Sequence, residues 1–353
     1  MLNRVVVFTY LFLFATSIVS CTHSNENIPS EEHSYELNSD IVWASPKGFD
    51  LTMDIYTPDT GKENYPVIVI FHGGGWLINN KSIMRQTSEY LASKGEYVVC
   101  NVNYRLLGDL NNTVKMNEIV EDAMGAVLWI KKHIANYNGD PEKIILTGDS
   151  AGGHLATIVT LQGRDLSSEG FSDEPYGFNP TWLPEGKTAE DIASENGLEV
   201  QAAMISYGAF DILESAKSGM EKPTNIFWAL GMASARGLFG DTINYNDNPE
   251  FYKKVSPIYN IPSSEEMTLP PMLFTVGEND NLTTPTSIED FITRLKAEGH
   301  TDLEYWIHEG RPHAFLDSGS NDFLKISFEK DAPPALDVML EFLNNIFYIN
   351  QVK

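Results

Sequence analysis

The sequence predicts a three-layer α/β fold, a mostly parallel central sheet flanked by helices, with two insertions forming a cap. Three observations carry this. Short apolar runs alternate with segments of helical periodicity along most of the chain, which is the rhythm of a parallel sheet with crossover helices. One run, residues 66–71, is almost continuously apolar, as a strand covered on both faces should be. Another, residues 143–147, passes through Gly148-Asp149-Ser150-Ala151-Gly152-Gly153 into a helix-like segment. A Gly-x-Ser-x-Gly turn between strand and helix lifts a serine hydroxyl above the edge of a sheet.

The chain has 353 residues, enough for one large domain with insertions or two small ones. Its net charge of −25 argues against a nucleic-acid partner, because the phosphate backbone would repel it. Arg4 precedes an apolar run over residues 5–19, which is short for a membrane span and fits a secretory signal. The run ends in Ile18-Val19-Ser20-Cys21. This resembles the lipobox of bacterial lipoproteins, which implies a signal peptide over 1–20, a lipidated Cys21 and anchoring at the periplasmic or cell-surface face of a membrane. Residues 21–38 are polar and acidic, as a flexible tether is. The folded domain is expected over 39–350. Cys100, inside the apolar stretch 97–102, is expected to be a small core residue with no disulfide partner.

In chain order, residues 41–44 and 51–56 read as an antiparallel hairpin around Pro46-Lys47-Gly48. The strand 66–71 runs into His72-Gly73-Gly74-Gly75-Trp76. Residues 82–94 read as a helix with Ser82 as its N-cap, and 97–104 as the next strand. Residues 114–137 hold a long amphipathic helix, with Ile119, Ala123, Ala126, Val127, Ile130 and Ile134 at helical spacing. After the serine turn the rhythm breaks. Residues 163–198 and 211–267 are too long for plain loops and are expected to cap the C-terminal edge of the sheet, where open α/β folds bind ligands. Between and after them come strands near 200–207, 271–277 and 303–308, a helix over 288–298 and a closing helix over 335–347.

A serine hydroxyl becomes a nucleophile only when a base takes its proton and an acid orients that base. Of the eight histidines, His23 and His33 lie in the tether and His72 in the glycine loop. His133 and His154 lie on helices, and His300 sits at the wrong end of the last strand. His308 and His313 remain. His313, in a loop just past a strand's C-terminal end, is preferred because it can reach over the sheet. For the acid, Asp280 lies three residues past Gly277 in a similar loop, with Glu278 its rival. A tetrahedral intermediate also needs amide donors. Three consecutive glycines let the backbone turn its N–H groups inward, and the serine turn aims the Ala151 amide at the same place. Trp76, flanking the glycines, is expected to touch substrate.

Together His72-Gly73-Gly74-Gly75-Trp76, Asn103-Tyr104-Arg105-Leu106, Gly148–Gly153, the Gly277…Asp280 turn and Pro312-His313-Ala314-Phe315 resemble α/β-hydrolase serine esterases. The resemblance is to the hormone-sensitive-lipase-like branch and to bacterial feruloyl and acetyl-xylan esterases, over roughly residues 40–350 less the insertions. It implies the α/β-hydrolase fold, a carboxylesterase working through Ser150, Asp280 and His313, and oxyanion donors at Gly74, Gly75 and Ala151. It implies no metal and no organic cofactor, and a small-molecule or carbohydrate ester, such as an acetyl or feruloyl ester, as substrate. The chain departs from the pattern at Leu107-Gly108-Asp109, where relatives often have Ala-Pro-Glu, and in the long segment after the serine helix. Aromatics there, Phe171, Tyr176, Phe178 and Trp182, are expected to contact the remote part of a substrate.

Two other readings use the same residues. A serine peptidase of the prolyl-oligopeptidase type shares the triad but carries a large propeller upstream, for which the stretch before Ser150 is too short. A non-catalytic binding protein on the same scaffold would typically lack a triad member, and all three are present.

Overall fold

A computed structural model describes residues 32–349 except Asp173. The expected signal peptide, the lipidation site Cys21 and the first part of the tether lie outside the described residues. Eight strands form one sheet: β1 Tyr35–Ala44, β2 Leu51–Pro58, β3 Tyr65–Phe71, β4 Val98–Val102, β5 Gly139–Asp149, β6 Ala202–Ser206, β7 Met272–Gly277 and β8 Leu303–His308. Their order is β1-β2-β4-β3-β5-β6-β7-β8. The β1/β2 and β2/β4 pairs are antiparallel and the others parallel.

Every residue of β3 is buried, as are the last six of β5. Burying each Val or Ile contributes about 1.5–3 kcal/mol, and burial on both faces is why these strands read as unbroken apolar runs. The helices that supply the cover include α1 Arg85–Lys94, α2 Met116–His133, α3 Ala151–Gln162, α5 Pro285–Ala297 and α6 Pro333–Asn344, with the short α4 Ile226–Leu230 near the site. On α2 the apolar positions at helical spacing are all buried. Cys100 is free and buried in β4.

Three expectations are corrected here. The tether was expected to reach residue 38, but β1 begins at Tyr35 and pairs with β2 from Tyr35↔Pro58 onward. The Tyr35 ring packs 5.5 Å from that of Tyr56, so this polar-looking stretch is an edge strand held by its ladder. The cap ahead of α1 is not Ser82 but Asn80, whose side chain accepts from the Ser82 amide and opens a short 3₁₀ turn.

The third correction concerns residues 163–198. α3 starts at the serine turn and runs for 12 residues, or about 18 Å away from it. The segment therefore leaves at the opposite edge of the sheet. It returns there too, since a Cβ on Gly163 would touch Leu198. In between it lies along α2. Thr181 N–H donates to Glu121 O, and Trp182 packs on His133 at the far end of that helix. Phe171 meets Tyr176, Phe178, Phe239 and Phe251 in an internal aromatic cluster. These aromatics pack on one another and on α2; they do not cap the serine.

The segment 211–267 does reach the C-terminal edge. The Arg236 guanidinium donates to the carbonyls of Leu107, Asn112 and Val114, in the loops that follow β4. α4 then hangs beside the glycine loop that follows β3.

Candidate active site

Ser150 sits between β5 and α3 with φ +52 and ψ −115, outside the ordinary regions for a residue with a side chain. The turn is that tight because Gly152 lies against β3. A Cβ there would overlap the Phe71 carbonyl. Backbone bonds hold the strained residue: Ser150 N–H donates to Ser206 O, and its own carbonyl accepts from His154 and Ala209. The residue as a whole is half-buried.

The structure brings the three expected side chains into one line. Ser150 Oγ is 2.9 Å from His313 Nε2, and His313 Nδ1 is 2.6 Å from Asp280 Oδ2. A carboxylate at Nδ1 requires the N–H there, which leaves Nε2 free to accept the serine proton. Asp280 is buried, and its other oxygen accepts the amides of Leu282 and Thr283. The rivals are committed elsewhere. His308 Nε2–H donates to Asp331 O, and Glu278 Oε2 accepts from the Gly310 amide.

The glycine loop is clamped before it reaches the serine. Gly73 N–H donates to Asp149 Oδ1 at 2.7 Å, which removes that amide from the site. Asp149 is fully enclosed, and burial pushes its carboxyl up to about 6. Tyr104 O–H donates to His72 O and stacks on the His72 ring. Arg105, in turn, is anchored to α2 by a two-point pair with Asp122 at 2.8 and 2.7 Å. This is the physical content of the Tyr104-Arg105 motif. It carries the start of the loop after β4, whose Leu107 amide ties down Trp76 O.

With Gly73 occupied, the amides of Gly74, Gly75 and Ala151 have no hydrogen-bond partner among the described residues. Gly74 and Gly75 are half-open, with φ +123 and +58, and Ala151 is the first residue of α3. That is the arrangement expected of an oxyanion hole. A Cβ on Gly74 would overlap the Ile78 carbonyl and require a rarely populated φ. Gly74→Ala is therefore expected to lower kcat by about 10²–10³, as for loss of one oxyanion donor. The loss should be equal for short and long esters in parallel assays, and unchanged kcat would place the hole elsewhere.

Trp76 is not where substrate contact was expected. It is buried, with its indole N–H donating to His154 Nδ1 at 3.2 Å. His154 Nε2–H donates in turn to Val255 O, and burial holds this imidazole down at about 4, neutral. Trp76 and His154 thus brace the glycine loop against α3.

Sequence reasoning missed three neighbours. Thr283 Oγ1 lies 3.1 Å from Asp280 Oδ2 and 3.2 Å from His313 Nδ1; an Asp followed by a Thr in a turn was the available signal. Tyr207 packs its ring edge on His313 at 4.7 Å. Phe227 of α4 lies where a Cβ on Gly75 would touch it at 3.4 Å, and no local pattern pointed to it.

The sheet order, the strained serine turn and the loops after β7 and β8 define an α/β-hydrolase fold. The chain belongs to the BD-FAE family, whose sequence pattern matches residues 53–295, a span that holds the glycine loop, Ser150 and Asp280 and stops before His313. It is similar to Esterase LipQ of Mycobacterium tuberculosis, at 26% identity over 82% of this chain and 60% of that protein. It is also similar to the para-nitrobenzyl esterase of Bacillus subtilis, at 33% over 48% of this chain and 35% of that one. The chain thus spans less than two thirds of these relatives' length. Among solved structures, the apo form of Thermogutta terrifontis esterase 2 matches with a TM-score of 0.61 and 25% identity, covering 91% of this chain and 98% of that one.

Proposed function

We propose that the chain is a serine carboxylesterase. The observation that carries this is the unbroken line from Ser150 through His313 to Asp280, beside three amides without a partner among the described residues. Ser150 Oγ attacks the ester carbonyl while His313 Nε2 takes its proton. The oxyanion rests on the amides of Gly74, Gly75 and Ala151. The tetrahedral species collapses with the alcohol leaving, protonated from His313. Water, activated by the same imidazole, then frees the acid and restores Ser150. The names of LipQ and the para-nitrobenzyl esterase support the same reaction class. The test is release of p-nitrophenol from its acetate and butyrate, where a rate no greater than that of a Ser150→Ala chain would end the proposal.

The finer reading is an acetyl or feruloyl ester of a carbohydrate. The motif resemblance supports it, and so does an aromatic ring beside the oxyanion loop. Phe227, half-buried beside Gly75, can pack against an aromatic acyl group, while an acetyl group is too small to need it. Phe227→Ala is expected to reduce kcat/KM for methyl ferulate about tenfold, an aromatic contact's worth, and to leave p-nitrophenyl acetate nearly unchanged. Trp182→Ala, on the far segment, should leave the ratio of the two untouched. A shifted ratio in Trp182→Ala with none in Phe227→Ala would assign substrate contact to the wrong insertion.

A further inference from the structure

One feature that the catalytic line does not use lies on the α2 side of the sheet. A cavity of about 410 Å³ opens between the first turns of α2, residues 168–172 with Asn179, and Phe239 and Phe251 of the second insertion. None of Ser150, Asp280 or His313 lines it.

Its wall holds an unusual group. Glu121 is only 9% exposed. Oε1 accepts both available hydrogen bonds, from Asn117 Nδ2 at 3.2 Å and from the Asn179 amide at 3.4 Å. Oε2 has no partner among the described residues, yet it is not one of the sealed, unsatisfied buried atoms. It therefore opens onto the cavity. A carboxyl oxygen with no protein partner on a cavity wall is free to hydrogen-bond a ligand hydroxyl.

We propose that this cavity is a non-catalytic binding site for a pyranose, one unit of a neutral carbohydrate. Four features fit that class. The volume is that of a small-ligand site. Phe171, Phe239 and Phe251, packed on one another, line one side and give an apolar wall for the C–H face of a sugar ring. Glu121, Asn117 and Lys115 supply acceptors and donors on the other side. Of the other charged groups on the wall, Glu118 pairs with Lys47 at 2.7 Å and Arg105 at 3.3 Å, and Glu169 is balanced in number by Lys115, so neither sign is in excess. Burial also pushes the Glu121 carboxyl up to about 8, which keeps it mostly protonated at neutral pH. A neutral carboxyl can give and take hydrogen bonds, as sugar hydroxyls do, and it does not draw in an ammonium. No group of three or more His, Cys, Asp or Glu among the described residues could hold a metal ion.

The site is separate from the proposed chemistry, so it is tested on the full-length chain carrying Ser150→Ala, by calorimetric and NMR titration. The ligands are methyl β-D-xylopyranoside, methyl β-D-glucopyranoside and xylobiose, with ethylammonium as the charged competitor. One saturable sugar site is expected, with shifts at Asn117, Asn179 and Phe239. Glu121→Met should weaken binding at least about tenfold by removing the buried hydrogen-bonding partner. Asn117→Ala should weaken it in the same direction, and serves if Glu121→Met alters the melting temperature. In the chain that keeps Ser150, neither change should affect hydrolysis of p-nitrophenyl acetate. The proposal is overturned if no pyranoside saturates, if both variants bind as the parent does, or if ethylammonium binds in preference to every sugar.

Discussion

Ser150→Ala is expected to lower kcat by about a millionfold, the loss seen when a serine nucleophile that works with its base is removed. His313→Ala should cost about the same, and the double variant little more, because the two act as a unit. The structure isolates this effect from folding. Ser150 Oγ bonds to His313 Nε2, while the strained turn is held by its backbone bonds to Ser206, His154 and Ala209. Alanine keeps all of those, so the melting temperature should barely move. The proper control is His308→Ala. That ring is tied to Asp331 O, and its loss should lower stability with kcat for surviving enzyme close to normal. Labelling gives an independent readout. A fluorophosphonate should modify wild type stoichiometrically at Ser150 and leave Ser150→Ala unmarked. If His308→Ala abolishes turnover and His313→Ala does not, the base has been misassigned.

The site was legible because its chemistry is written locally. Gly148 and Gly152 mark the one place where a strand must reverse into a helix against a neighbouring carbonyl, and three glycines after β3 mark a backbone that must face inward. His313 and Asp280 could be chosen by where they fall relative to a strand's end, which the apolar runs reveal. What could not be read was anything decided by packing between distant segments. The segment 163–198 looked like a cap because it is long and aromatic. Its path is set by α3, whose length carries the chain to the wrong edge, and by α2, which it then covers. Phe227 reaches the oxyanion loop because Arg236 staples its segment to loops more than a hundred residues away in sequence. Trp76 was misread for the same reason. An indole beside a glycine loop suggests substrate contact, and only the fold brings His154 up to take its N–H. At the N-terminus, polarity concealed an edge strand, since β1 is held by ladder bonds and needs apolar residues at few positions.

Asp280→Asn is the second large effect, expected at about 10⁴ in kcat from the change in imidazole tautomer alone. The substitution keeps the size of the side chain. Its amide oxygen can still accept from the Leu282 and Thr283 amides, as Oδ1 does now at 2.8 and 3.0 Å. Those two bonds then fix which end of the amide faces His313: the NH₂ lies where Oδ2 now sits, 2.6 Å from Nδ1. An NH₂ can only donate there, so Nδ1 must accept and the ring proton moves to Nε2. In that form the imidazole presents a proton to Ser150 Oγ and cannot take one. Thr283 limits the damage, because its Oγ1 stands 3.2 Å from Nδ1 and can accept from an Nδ1–H in a minority of molecules. Asp280→Asn combined with Thr283→Val should therefore be slower than Asp280→Asn alone, while Thr283→Val by itself should cost little. Steady-state kcat for the three variants, with melting temperatures beside them, separates tautomer control from a structural role. A structural role would lower stability and activity together. Tautomer control lowers kcat with the fold intact. If Asp280→Asn keeps more than a tenth of wild-type turnover, or if Glu278→Gln proves the more damaging change, the acid of the line is not Asp280.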